Sequence, residues 1–177
     1  SEQKKPEEIV QKTHESFKPF QIAARDGSYS IWVMDAWDRE ERFFTQGLSF
    51  VNRTTLLETS GLYGFSKLHY ISLNDKTHSV VVDNSKPEVT LERAHFGEGS
   101  DIIQGKTPQE QFIYYLTWTS RKIFKYDLNL KLEGTLDLPQ PIKEGWGMTH
   151  DPKEPTVAYI SDGSNNIFKV ETNNFEE

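Results

Sequence analysis

Apolar and polar residues alternate with a period of two along most of the chain from Tyr29 onward. In residues 29–34 every second position is Tyr, Ile or Val, which is the pattern of a β-strand. Residues 80–82 (VVV) form a continuous apolar run typical of a buried strand, and Asn74-Asp75 is a turn signal between two such segments. The pattern predicts an all-β chain of strands and tight turns.

Three stretches of the chain resemble one another and predict an internal repeat. They are FTQGLSF (44–50), FGEGSDI (96–102) and EGWGMTH (144–150), and their shared glycines are Gly47, Gly99 and Gly147, which lie 52 and 48 residues apart. Each is followed by an apolar strand, a turn and a second strand, in segments 56–73, 114–128 and 158–171. A repeat of strands with this length is the signature of β-propeller blades around an axis.

The length of the repeat region limits the number of blades. At about 40–50 residues per blade, residues 29–177 supply about three blades of four-stranded antiparallel sheet, whereas closed propellers usually have about four to eight. We therefore expect a partial β-propeller. Three explanations stay open: the sequence is a fragment, the remaining blades come from another chain, or the repeats form an open stack with protected edges.

Residues 1–28 differ from the repeat region and predict a separate N-terminal arm. Pro6-Glu7-Glu8 opens a stretch with Ile9, Val10, Thr13 and Phe17 on one face, and proline followed by acidic residues favours a helix N-terminus. The prediction is a short amphipathic helix in an arm, followed by a propeller domain over residues 29–177.

Composition narrows the possible partners. The 177 residues are 35% hydrophobic and 27% charged, with a net charge of −7, and they show no basic stripe, so nucleic acid and anionic lipid are not expected partners. The chain has no cysteine, and no apolar run reaches the length of a membrane span. Asn52-Arg53-Thr54 matches the N-glycosylation pattern, which arises by chance about once in a chain of this size.

Superposing the repeats predicts which side chains face the channel. Two sets are expected there: those before the repeated glycines, and those that end the second strand of each blade. The predicted channel residues are Gln46, Glu98 and Trp146, together with Glu58, Trp118 and Asp162. One interpretation is that the glycines only allow close approach of strands. The alternative is a functional site, because a carboxyl group beside indoles is the setting that raises a pKa toward neutrality.

The motifs FTQGL, LLETSGLYGFSKL, FGEG, LTW, FKYD, EGWGMTHD and ISDGS occur in an order that resembles the plant-type glutaminyl cyclases, or glutamine cyclotransferases. The likeness covers residues 43–170 and implies a five-bladed propeller. It implies cyclisation of an N-terminal glutamine to pyroglutamate with loss of ammonia, on peptide or protein substrates. It also implies residence in the secretory pathway or an organelle lumen.

The resemblance implies roles for five residues. Glu98 of FGEG is the expected general acid and base, and Gln46 of FTQGL is expected to hydrogen-bond the substrate. Trp118 and Trp146 are expected to form the walls of the pocket and to offer their N–H groups to the substrate carbonyl oxygen, and Glu58 to orient neighbours or bind the amine. Asp162 is expected to cap a turn. No cofactor and no metal are expected, since the five histidines show no ligand spacing.

The chain also departs from the family pattern. Family members continue through two further blades that carry an asparagine, another tryptophan and a lysine of the active site, and AWDREER replaces the usual Pro-His-Asp before FTQGL. An alternative prediction is therefore an inactive, cyclotransferase-like accessory subunit, whose open propeller edge is covered by other protein chains.

Overall fold

A computed structural model describes residue 18 and residues 20–23, 30–39 and 41–176. This part of the chain forms fifteen β-strands and one short 3-10 helix, Thr172–Glu176. The strands are β1 (Phe20–Ala23), β2 (Ser30–Val33), β3 (Asp38–Arg39), β4 (Thr45–Phe50), β5 (Thr55–Ser60), β6 (Lys67–Asn74), β7 (Ser79–Val82), β8 (Val89–Thr90), β9 (Gly97–Gln104), β10 (Gln111–Thr117), β11 (Lys122–Tyr126), β12 (Leu132–Asp137), β13 (Met148–Asp151), β14 (Glu154–Ser161) and β15 (Ile167–Glu171). The protein is all-β, as the alternation of residues predicts.

The chain divides into two compact units. The first contains residues 1–42 and 72–81, and the second contains residues 43–71 and 82–177. In the first unit β1 pairs antiparallel with β2, and β3 pairs in parallel with β7. The pairing of β1 with β2 joins residues on both sides of the arm boundary predicted at residue 28. The predicted division into an arm and a propeller domain therefore stays a prediction.

The second unit holds three antiparallel sheets, and each corresponds to one predicted repeat. Within this unit the first sheet has the strand order β6-β5-β4, the second β12-β11-β10-β9, and the third β13-β14-β15. The repeated glycine lies in the first strand of the first two sheets and directly before the first strand of the third, and the strands follow one another in chain order. The second unit is therefore a partial β-propeller of three blades, as the repeat predicts.

Two apolar cores separate the three blades, and β10 contributes to both because successive side chains of a strand point to opposite faces. Ile113 and Tyr115 pack toward the first blade, whereas Tyr114 and Leu116 pack toward the third. The core between the first two blades contains Leu57, Leu68, Tyr70, Leu91, Ile113, Tyr115, Tyr126 and Leu130. The core between the last two contains Ile103, Tyr114, Leu116, Ile123, Leu138, Ile142, Ala158, Ile160 and Phe175.

Other sequence-based predictions have mixed outcomes. The run 80–82 does form a strand, β7, but it is not buried, since Val81 is 47% exposed. The amphipathic helix predicted near residues 6–17 lies outside the described residues. In the part of the chain that the structure describes, no helix is long and apolar enough to cross a bilayer.

Candidate active site

The repeated glycines bring the inner strands of the blades into contact. A Cβ atom on Gly99 would lie 2.6 Å from the carbonyl oxygen of Trp146 and 3.0 Å from the Cα of Gly147. A Cβ atom on Gly47 would lie 2.7 Å from the backbone nitrogen of Ser100. Larger side chains cannot occupy these two positions without moving the backbone. The glycines therefore do serve close approach. They also place Gln46 on β4, Glu98 on β9 and Trp146 in the segment that leads into β13.

Glu98 is the half-buried acid of this region, and burial raises its pKa to about 7 from the usual 4.5. The negative charge of Glu144 adds to the effect of burial. The backbone beneath Glu98 is fixed to the first blade, because the Thr59 hydroxyl donates to the Glu98 carbonyl oxygen at 2.8 Å. A carboxyl group with this pKa can both take up and release a proton near neutral pH.

Glu144 connects the two tryptophans. The indole Nε1 of Trp118 donates to Glu144 Oε2 at 2.7 Å, and that of Trp146 donates to the same oxygen at 2.9 Å. The sequence analysis missed this residue, although it directly precedes GWG. The finding changes the predicted role of the indoles: their N–H groups, expected to face a substrate carbonyl, are used by Glu144 in this structure.

The segment that carries Glu144 is fixed from two sides. The Arg121 guanidinium donates to the carbonyl oxygens of Ile142 and, at 2.9 Å, of Lys143. The Asp162 carboxylate accepts from the backbone N–H of Lys143 at 3.2 Å and from that of Ser164 at 3.1 Å. The predicted turn cap at Asp162 is confirmed, and hydrogen bonds to this carboxyl lower its pKa. Asp162 thus supports Glu144 through the backbone.

An aromatic cluster extends from Trp118 along the first two blades. The ring of Phe96 lies edge-on to Trp118, Tyr63 and Phe44, with centroid distances of 5.8, 5.4 and 6.2 Å. The Trp146 ring lies over Gly163, where an added Cβ would be 2.6 Å from the indole. The sequence analysis did not select Phe44, Phe96 or Tyr63, although the first two stand at equivalent positions two residues before Gln46 and Glu98. An apolar wall therefore adjoins the acid pair.

Gln46 lies where the repeat predicts, on β4 directly before Gly47, and is half-buried. Its position is equivalent to that of Glu98, since each directly precedes a repeated glycine. The amide can both donate and accept, and the structure shows no side-chain hydrogen bond for it among the described residues.

The predicted equivalence of Glu58 with Trp118 is wrong. The backbone N–H of Trp118 donates to Phe96 O at 3.0 Å, and the corresponding bond in the first blade runs from Gly61 to Phe44 O at 2.9 Å. Gly61 therefore occupies the position of Trp118, and Glu58 lies three residues earlier. The reason is the length of β5, which continues to Ser60 and places Glu58 two residues before the end of the strand.

Glu58 is instead part of a buried polar cluster. Its side chain is fully buried, accepts from the Thr45 hydroxyl at 2.5 Å and lies 2.9 Å from His69 Nε2. The His69 ring packs on Phe43 with a centroid distance of 4.6 Å. A substrate cannot reach a carboxyl group in this position, so the predicted contact with the substrate amine is not available to Glu58.

No group of three or more possible metal ligands occurs among the described residues. The described histidines are dispersed: His69 contacts Glu58, His78 contacts Asp35, His150 contacts Asp101, and His95 contacts the Ser120 hydroxyl. His14 lies outside the described residues.

Taken together, these features define a β-propeller protein in which an inner strand and the connecting segments next to it assemble an acid pair with two indoles. The family model for glutamine cyclotransferase matches residues 9–177, and the chain belongs to this family. It is similar to the glutaminyl-peptide cyclotransferase of Arabidopsis thaliana, with 27% identity over 141 residues. That match covers 80% of this chain and 39% of the length of the relative.

Proposed function

We propose that this protein acts in glutaminyl-peptide cyclotransfer, the conversion of an N-terminal glutamine to pyroglutamate with release of ammonia. The observation that carries the proposal is the raised pKa of Glu98, about 7, beside a carboxylate that binds both indoles. Family membership and the name of the relative support the same reaction. The comparisons give no support to the alternative prediction of an inactive accessory subunit.

The reaction needs one group that can move a proton in both directions. The substrate α-amine attacks its own side-chain amide carbon, a new N–C bond forms, and the bond to the amide nitrogen breaks. The attacking amine loses a proton and the departing nitrogen gains one, so a single carboxyl group can carry it between them. Glu98 is suited to this role, because its pKa near 7 makes both protonation states accessible.

The remaining residues position the substrate. Gln46 offers an amide that can donate to and accept from the amide of the substrate. The indole faces of Trp118 and Trp146 contact its aliphatic chain and hold it curled toward the amine, which is a proximity effect. Glu144 orients the two indoles through their N–H groups, and its charge favours the protonated form of Glu98.

The test is an ammonia-release assay with a glutamine-starting peptide. We expect Glu98→Gln to lower kcat/KM by about 10²–10⁴-fold, the usual contribution of a general acid–base group. Glu92→Gln is the matched control, because Glu92 is an exposed acid just upstream of Glu98, and it should retain wild-type activity. Equal release from wild type and Glu98→Gln would remove Glu98 from this role. Wild-type release no faster than that of the peptide alone would contradict the proposed function itself.

A further inference from the structure

The turn between β4 and β5 carries a sequence pattern for covalent modification that plays no part in the proposed reaction. Asn52-Arg53-Thr54 lies at the exposed tip of this hairpin. The backbone N–H groups of Val51 and Asn52 both donate to Thr55 O, at 2.9 and 3.2 Å, and thereby close the turn. The structure thus places the N-x-T pattern, which often occurs by chance, on a protruding and solvent-accessible turn.

The side chain of Asn52 has a defined orientation. Its Oδ1 accepts from the backbone N–H groups of Thr54 and Thr55, both at 3.0 Å, and lies 3.4 Å from the Thr54 hydroxyl. This is an Asx turn, in which the amide oxygen faces the backbone. The amide nitrogen lies on the other branch of the side chain and has no hydrogen-bond partner among the described residues, so it is accessible to a reagent in solvent.

An exposed aromatic ring precedes the acceptor by two positions. Phe50 is 68% exposed, whereas phenylalanine is among the residues most often buried. Phe50 is the last residue of β4, and Asn52 follows two residues later in the turn. The C–H face of a sugar ring attached to Asn52 could stack on the Phe50 ring.

We propose that Asn52 is an acceptor for an N-linked oligosaccharide whose first sugar packs on Phe50. The donor class is a lipid-linked oligosaccharide pyrophosphate. In the transfer, Asn52 Nδ2 forms a bond to C1 of the first N-acetylglucosamine and loses one proton. The bond between C1 and the pyrophosphate oxygen breaks, and the lipid pyrophosphate leaves with its electron pair.

The experiment expresses the full chain behind a cleavable secretion signal in a eukaryotic host. We expect the secreted protein to show an electrophoretic shift that a peptide:N-glycosidase reverses. Asn52→Gln and the near-isosteric Thr54→Val should abolish the shift, whereas Thr54→Ser, which keeps the hydroxyl, should retain it. A folded, secreted wild type without glycan, or a glycan that persists in Asn52→Gln, would overturn the proposal.

Thermal unfolding tests the packing on Phe50. We expect the glycosylated protein to have a Tm higher by about 2–4 °C than the enzymatically deglycosylated protein, which is the shift that about a fivefold change in the unfolding constant gives a chain of this size. In Phe50→Ala this difference should disappear. An equal glycan-dependent shift in wild type and Phe50→Ala would show that the sugar does not pack on the ring.

Discussion

At the scale of single residues, two glutamates of like charge have different surroundings. Glu144 receives two indole N–H groups on one oxygen, while Glu98 is half-buried next to it. Burial and the neighbouring negative charge of Glu144 both favour the protonated form of Glu98. A carboxyl group whose pKa is raised toward neutrality in this way can serve as both acid and base.

The first prediction concerns the coupling between these two residues. In Glu144→Gln the charge is removed and an amide oxygen still accepts from the indoles. We expect the titration midpoint of Glu98, about 7 in the wild type, to fall only part of the way toward 4.5, because burial is the larger cause of the raised pKa. Side-chain carbon NMR shifts of Glu98 measured against pH report the midpoint directly. Glu92→Gln should leave it unchanged, and an unchanged midpoint in Glu144→Gln would contradict the coupling.

At the scale of elements, the site depends on how closely β9 approaches β13. The backbone N–H of Gly99 on β9 donates at 2.8 Å to the carbonyl oxygen of Trp146, which lies in the segment leading into β13, and no side chain lies between them. This contact places Glu98 beside the segment that carries Trp146. The distance between blades at the axis is therefore determined by glycine.

We predict that Gly99→Ala destabilises the protein by about 1–3 kcal/mol or more, because the added methyl would meet two backbone groups that cannot rotate away. Its Cβ would lie 2.6 Å from Trp146 O and 2.9 Å from the nitrogen of Met148. Gly134→Ala is the matched control, since nothing lies within 4 Å of a Cβ at Gly134. It should remain within about 1 kcal/mol of wild type. Urea unfolding measures both, and equal stabilities would refute the close-contact argument.

The same elements show how far the sequence could predict the site. The spacing of the repeated glycines alone predicts the three blades. It also predicts the placement of Gln46, Glu98 and Trp146, because each of them directly precedes a repeated glycine. Glu58 was misplaced because β5 continues two residues beyond it, to Ser60, so that Gly61 and not Glu58 is equivalent to Trp118. Glu144 was missed although it opens the third motif, because it does not directly adjoin the repeated glycine and only folding brings both indoles to its carboxylate.

At the scale of the whole second unit, stability depends on contacts between blades. Tyr115 illustrates this: its ring is fully buried in the core between the first two blades, and its hydroxyl donates to Ser60 O at 2.8 Å and to Lys67 O at 3.1 Å. One side chain of the second blade thus satisfies two carbonyl oxygens of the first. A change here should therefore affect both blades.

We predict that Tyr115→Phe lowers the free energy of unfolding by about 1–3 kcal/mol, since it leaves buried carbonyl oxygens without their donor. The ring and its packing remain. Tyr159→Phe removes a hydroxyl that donates to the more exposed Glu154, and it should cost less. Denaturant unfolding followed by tryptophan fluorescence gives both values. A cost for Tyr115→Phe no larger than that of Tyr159→Phe would argue against the hydroxyl as a link between blades.

The raised pKa of Glu98 also makes the stability of the whole fold depend on pH. In the folded protein its pKa is about 7, above the unfolded value of 4.5, so the folded state binds more protons between these two pH values. The contribution of Glu98 to the free energy of unfolding must therefore fall as pH rises through this range. That contribution is lost completely above about pH 7.

The amide in Glu98→Gln cannot ionise, so this variant serves as the reference. Between pH 4.5 and pH 8 the free energy of unfolding of the wild type should fall by on the order of 1 kcal/mol more than that of the variant. The expected change is small because the Glu98 side chain is half-exposed and solvent screens its charge. Urea unfolding of both proteins at the two pH values measures the difference, in which titration of other groups cancels. If the two stabilities changed in parallel, Glu98 would ionise equally easily in the folded and unfolded states, and the acid–base role based on its raised pKa would lose its physical basis.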